Sequence, residues 1–364
     1  MDVIRKSRIS NFFNLLFCFF ILIVSTFCFF IKLSKLYKIS SKNIDKISLL
    51  ISKTIFFRGK LNFNINKKIS TNIINNSSKI KIQDLEPNLE VSKDNFKDIP
   101  KNPNEKTYKI IEKKICKDGE KYKNVCIKNN TDYKLDIQKL LNKKLNINII
   151  NIEKPQILII HTHATESYLH EDKGYFYESY SPRSTNNSEN VTQVGNCIAE
   201  RLLSKNINLV HDKTQHDSPS FSGSYSRAAK TIKKNIEENE SIKIVMDVHR
   251  DSMGNRETGK LKTFFMHKET KSAQTMLVIG GGFKEYEKNL SFAIKLQNQC
   301  EEDFPGLMRP IDFRIGRYNQ DLLSDVIFIL IEVGTDVNTL SEAKLAGSMI
   351  GESLAKLLEN LKEG

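Results

Sequence analysis

Gln156-Ile157-Leu158-Ile159-Ile160-His161-Thr162-His163-Ala164-Thr165-Glu166 is the stretch that decides the fold. Four consecutive branched aliphatic residues without polar alternation read as a strand covered on both faces, the kind that parallel sheets contain. The strand runs directly into two imidazoles and a carboxylate. The same order recurs where Ile242-Lys243-Ile244-Val245-Met246 leads into Asp247-Val248-His249-Arg250-Asp251, and where Val326-Ile327-Phe328-Ile329-Leu330-Ile331 leads into Glu332-Val333-Gly334. In open α/β sheets ligands bind beyond the carboxyl ends of the strands, so these three distant segments are expected to converge at one rim.

Around them, residues 155–364 alternate short apolar runs with amphipathic stretches. Further strands are expected at Ile207 to Val210, Thr263 to Met266 and Met276 to Ile279. Val191, Val194, Ile198 and Leu202 share one helical face, Ala228 to Ile236 forms a second helix, Leu290 to Leu296 a third, and Glu342 to Leu361 closes the chain as a fourth. This pattern gives an α/β class with a mostly parallel or mixed sheet flanked by helices.

The rest of the 364 residues is organised differently. Residues 11–31 carry no charge and are long enough to cross a hydrocarbon core of about 30 Å, and they run into Lys32 without a small-residue cleavage site. An uncleaved transmembrane helix is expected there, with the short N-terminal tail inside and the bulk of the chain outside. Residues 32–154 are rich in Lys, Asn, Ile and Ser and read as a low-complexity linker with a small ordered element between Tyr108 and Ile150. The formal charge of +13 is concentrated in this linker and lacks the basic-aromatic interleaving of a nucleic-acid surface. It suits anionic lipid or an anionic wall polymer, and no nucleic-acid partner is expected. Cys18 and Cys28 fall in the apolar segment, Cys197 and Cys300 in helices, and Cys116 and Cys126 flank a polar turn that a bridge could close.

A zinc hydrolase needs three nitrogen or oxygen ligands, an open position and a carboxylate to carry protons. His161, His163 and His249 are the candidate imidazole ligands, and Glu166 and Glu189 the candidate acidic ones. Whether His161 and His163 both face the site depends on whether the strand continues past Ile160. Glu332 follows six apolar residues, so it is expected to be buried and to act as the proton carrier. Arg250 beside His249 is the candidate oxyanion donor. Ile279-Gly280-Gly281-Gly282 resembles a phosphate-binding turn only superficially, with neither a second spaced glycine nor a following Lys-Ser/Thr. There is no G-x-S-x-G elbow and no H-E-x-x-H helix.

Taken in order, His161-Thr162-His163-Ala164-Thr165-Glu166-Ser167-Tyr168, Asn190-Val191-Thr192-Gln193-Val194-Gly195, Asp247-Val248-His249-Arg250-Asp251, Val278-Ile279-Gly280-Gly281-Gly282, Arg317-Tyr318-Asn319-Gln320-Asp321 and Ile331-Glu332-Val333-Gly334 resemble the stage II sporulation protein P family. The resemblance covers residues 155 to the end. It implies a zinc-dependent N-acetylmuramoyl-L-alanine amidase of zinc amidase/phosphorylase-like fold, cutting the amide between N-acetylmuramic acid and the stem peptide, with some endopeptidase activity on cross-links. It further implies a single-pass membrane protein whose catalytic domain lies in the intermembrane space of a sporulating cell. There it would act on peptidoglycan during engulfment, alongside a lytic transglycosylase. The resemblance assigns the first His ligand to His161 or His163, the second to His249 and the catalytic Glu to Glu332. At the remaining helix position, where the wider amidase group has Glu, this chain has Asn190 or Val191, with Glu189 adjacent and Glu166 as the substitute. The alternatives are a zinc carboxypeptidase or endopeptidase acting on the stem peptide, and an inactive wall-binding module that kept the fold.

Overall fold

The structure, a computed structural model, describes residues 100–363 apart from 102–103, 116–117, 146 and 148–152. The expected transmembrane helix at 11–31 lies outside the described residues, as do most of the linker and Cys116. Among the described residues no helix is long and apolar enough to cross a membrane.

In chain order the elements are β1 (Thr107–Lys113), β2 (Glu120–Tyr122), β3 (Val125–Asn130), α1 (Ile137–Asn142), β4 (Ile157–Ile160), β5 (Tyr175–Tyr177), α2 (Thr192–Ser204), β6 (Leu209–His211) and α3 (Ser224–Glu238). They continue with β7 (Ile244–Asp251), β8 (Gly254–Asn255), β9 (Gly259–His267), β10 (Thr270–Ala273), β11 (Thr275–Gly280), α4 (Tyr286–Asp303), β12 (Ile311–Arg314), β13 (Ile327–Thr335) and α5 (Leu340–Glu363).

The main sheet has the order β2-β3-β12-β11-β13-β7-β4-β6. Its strands form two parallel blocks, β3-β12-β11 and β13-β7-β4-β6, joined where β11 runs antiparallel to β13. It is therefore a mixed sheet. The two-residue period divides its faces: Ile157, Ile159, Ile244, Met246, Ile329 and Ile331 join the core under α2, α4 and α5, while Leu158, Ile160, Val245 and Phe328 pack against Ala228 and Ile232 of α3. Carrying that period forward along β7 and β13 puts Asp247, His249 and Glu332 on the α3 side of the carboxyl rim.

The region before Pro155 is more than linker. β3 lies inside the main sheet beside β12, with Val125, Cys126 and Ile127 fully buried. β1 belongs to a second sheet, β10-β9-β1-β5, with β8 paired to β9. That sheet is tied to the rim of the first: Thr335 Oγ1 donates to Leu261 O at 2.8 Å and Gly334 N to Gln274 O at 2.9 Å. Lys262, with a fully buried side chain, meets Asp172 at 2.6 Å, Glu342 at 2.7 Å and Glu112 at 3.3 Å, joining β1, β9 and α5 through one ammonium. A charge removed from water in this way is tolerated only when it is paired.

The Gly280-Gly281-Gly282 run is at the far end of the sheet from the histidines, because β11 is antiparallel to β13 and Met276, not Gly280, pairs with Glu332. Its amides are already used: Gly280 N donates to Gln320 Oε1, Gly281 N to Arg314 O and Gly282 N to Gly316 O. It has no amide left to cradle a phosphate.

Candidate metal and catalytic site

β4 ends at Ile160, and the turn that follows separates the two histidines. His161 continues the strand alternation toward α2, where its Nδ1 donates to Val248 O at 2.8 Å and its Nε2 meets His211 Nε2 at 2.9 Å. A Cβ on residue 195 would come within 2.5 Å of the His211 ring and 2.9 Å of His161, so glycine in α2 is what makes room for this pair. Both ring nitrogens of His161 are engaged, and burial pushes its pKa down to about 4. It is a buried structural imidazole, tied to the strand that carries His249.

His163 is swung to the α3 side. Its ring stacks on Phe221 at 4.4 Å and meets Tyr225 edge-on at 5.7 Å and His249 edge-on at 5.3 Å, and its Nδ1 is buried with no hydrogen-bond partner. Burial, and then the His249 charge, lower its pKa, which favours the neutral, ligating form.

His249 sits between two carboxylates. Its Nε2 is 2.9 Å from Asp247 Oδ1, and its Nδ1 is 3.4 Å from Glu166 Oε2. Asp247 also accepts from Thr162 N at 2.8 Å and Thr162 Oγ1 at 2.6 Å, so it is held in place to orient the imidazole. Burial opposes charge on His249, but Asp247 and Glu166 outweigh it and hold its pKa well above the usual range.

Glu166 is anchored in the turn after His163, where a bridge to Arg183 holds the backbone. Its carboxylate accepts from Arg250 N at 3.2 Å. Burial would raise its pKa, yet the charges of Arg250 and His249 keep it ionised.

The Arg250 side chain does not reach into the site as an oxyanion donor. Its Nε, Nη1 and Nη2 donate to the carbonyls of Ser167 at 3.3 Å, Asp251 at 3.4 Å and Pro182 at 2.7 Å. Its contribution is a fixed positive charge behind Glu166. Glu189 likewise stands apart: Ser184 Oγ and Asn186 Nδ2 donate to it at 2.9 and 3.1 Å in the turn before α2. Asn190, at the helix position expected to carry the acidic ligand, uses its Oδ1 to accept from Thr192 N and Thr192 Oγ1.

Glu332 pairs with His249 across β13 and β7. Its Oε2 is buried without a hydrogen-bond partner. Burial, aided by Glu166 and Asp251, pushes its pKa up to about 8 against the pull of His249 and Arg250. A carboxyl group poised near neutrality is suited to taking and returning a proton.

Among the described residues no three His, Cys, Asp or Glu side chains stand as a closed metal-binding group. In kind, however, His163, Glu166 and His249 fit zinc: two imidazoles and a carboxylate, one imidazole nitrogen buried and unpartnered, and a nitrogen-oxygen separation of 3.4 Å. Two ligand atoms about 2.1 Å from one tetrahedral ion lie about that far apart.

Tyr225 carried no sequence pattern of its own. Its only signal is that an aromatic pair, Phe221 and Tyr225, brackets Gly223 at the start of α3 after a strand exit.

A family model described as Stage II sporulation protein P matches residues 44–355. A curated Stage II sporulation protein P from Bacillus subtilis (strain 168) is 28% identical over 219 residues, covering 56% of this chain and 51% of its own length. The chain thus spans about half the length of the curated relative it matches. Among solved structures, N-acetylmuramoyl-L-alanine amidase AmiC2 of Nostoc punctiforme aligns at 12% identity with a TM-score of 0.34, over 58% of this chain and 98% of its own. The CwlD amidase from Clostridioides difficile, solved in complex with the GerS lipoprotein, aligns at 11% identity with a TM-score of 0.36, over 57% of this chain and 98% of its own.

Proposed function

The chain belongs to the stage II sporulation protein P family, and from that premise we propose that it is a peptidoglycan hydrolase that cleaves the amide between N-acetylmuramic acid and L-alanine. The observation that carries this reading is Glu332, a buried carboxyl group with an unpartnered oxygen beside His249. His163, Glu166 and His249 would hold zinc, which when bound supplies Lewis acidity to the attacking water and the scissile carbonyl.

The chain's own residues do the remaining work. Glu332 removes a proton from water as its oxygen bonds to the carbonyl carbon. It then delivers that proton to the L-alanine nitrogen as the carbon-nitrogen bond breaks. Asp247 fixes the tautomer and ring orientation of His249, and Arg250 keeps Glu166 ionised. Phe221 and Tyr225 box the His163 ring on its face and edge. The reading extends to the rest of the chain: residues 11–31 anchor it in the membrane, and the basic linker carries the enzyme to the wall. The enzyme works in the intermembrane space during engulfment, beside a lytic transglycosylase.

The test uses the full chain on purified peptidoglycan with mass analysis of products. An amidase releases intact stem peptides with a free L-alanine amine and leaves glycan bare of peptide. Products cut within the stem or cross-link would instead assign a carboxypeptidase or endopeptidase. Glu332→Gln is expected to lower kcat by about 10²–10⁴-fold, and chelation of zinc to abolish turnover. Full activity of either preparation rules the reading out.

A further inference from the structure

Arg250, the residue placed by sequence to carry the developing negative charge, has all three guanidinium nitrogens on main-chain carbonyls. The donor for that charge has to come from elsewhere. Of the tyrosines around the site, Tyr168 and Tyr180 are spent in the same way, donating to Val333 O at 3.0 Å and Asp336 O at 2.6 Å. Tyr225 differs. Among the described residues its hydroxyl has no such bond. Its ring meets the edge of His163 at 5.7 Å and 88°, and Tyr318 flanks it at 6.4 Å. Its backbone is fixed by Asn319 Nδ2, which donates to Tyr225 O at 2.9 Å, so the phenol is on a held scaffold at the start of α3.

We propose that Tyr225 is a catalytic residue whose hydroxyl donates a hydrogen bond to the carbonyl oxygen of the scissile amide as that oxygen becomes negative. The inference rests on the hydrolase reading above. Water's oxygen bonds to the carbonyl carbon, the carbonyl π electrons move to oxygen, and the Tyr225 O–H stabilises them without transferring its proton. When the carbonyl re-forms, the bond to nitrogen breaks and Glu332 supplies the proton to the amine. Burial and the nearby Asp247, Glu332 and Glu166 carboxylates raise the phenol's pKa, which keeps it a donor. A preorganised donor aimed at developing charge is typically worth about 10²–10³-fold in rate.

Tyr225→Phe keeps the ring and its packing and removes only the donor. In the full chain, kcat for peptide release should fall about 10²-fold with KM within about twofold, because the bond forms in the transition state. A phosphinate analogue of the lactyl to L-alanine amide should lose affinity by the same factor, and the thermal midpoint should match wild type. Unchanged kcat, a loss confined to KM, unchanged phosphinate affinity or a lowered midpoint would each overturn the assignment and make Tyr225 a packing residue. If the wild-type chain releases no peptide, the hydrolase reading itself fails and takes this inference with it. If wild type is active and Tyr225→Phe equals it, only the inference falls.

Discussion

Glu332 shows how one position serves chemistry at the expense of stability. Its carboxyl group is pushed up to about 8, chiefly by burial. Between the ordinary glutamate range and about 8, the folded state keeps a proton that the unfolded chain has released, so rising pH destabilises the fold across that window. Glu332→Gln removes the titration. In metal-free protein with chelator present, the variant should therefore melt higher than wild type at pH 8, by up to a few kcal/mol. The gap should close toward pH 5. A gap independent of pH, measured by thermal melts across that range, would show that burial is not what raises the group. The burial of Glu332 was legible because six apolar residues precede it. The choice between His161 and His163 was not, since it turns on whether the strand stops at Ile160, which no side chain near it announces. Arg250 was misread for a related reason: proximity to His249 in sequence says nothing about the carbonyls of Ser167 and Pro182, which are supplied by another segment.

At the scale of elements, the continuous apolar runs were readable as strands because a strand buried on both faces needs no alternation. β7 and β13 nevertheless run on through their polar residues, to Asp251 and Thr335, since each has a hydrogen-bonded neighbour to extend along. The closing helix α5 was visible in its apolar stripe, but its close approach to α2 was not. A Cβ at Gly351 would lie 2.9 Å from Ile198 O and 2.8 Å from Arg201 Cβ, and one at Gly347 3.0 Å from Val194 O. Alanine normally favours a helix interior over glycine by about 1 kcal/mol, whereas forcing atoms into a filled seam costs about 1–3 kcal/mol. Gly351→Ala should therefore destabilise the protein, and Gly351→Val more so, in chemical denaturation compared with a control at the exposed Glu359. A stabilised Gly351→Ala would mean that the two helices stand further apart than the structure places them.

For the whole molecule, the sequence placed the start of the folded part at Pro155, and the structure places it some fifty residues earlier. β1 escaped notice because its burial is mixed and its sequence, Thr107-Tyr108-Lys109-Ile110-Ile111-Glu112-Lys113, is half charged; its order comes from β9 and β5 rather than from itself. A fragment of residues 155–364 would lack β3 and uncover the β12 edge, and would leave Lys262 without Glu112. Residues 100–364 should give a monomeric, cooperatively melting protein, whereas 155–364 should aggregate or melt far lower, as judged by size exclusion and circular dichroism. Equal behaviour of the two would make β1 and β3 dispensable additions. β1 is also the first described strand that the chain enters from its N-terminal side, and it is laced on both flanks, parallel to β9 and antiparallel to β5. Traction applied along its axis through the preceding residues therefore loads both ladders at once in shear instead of peeling them bond by bond. The fold thus has a mechanically resistant hitch at the point where any tether would pull.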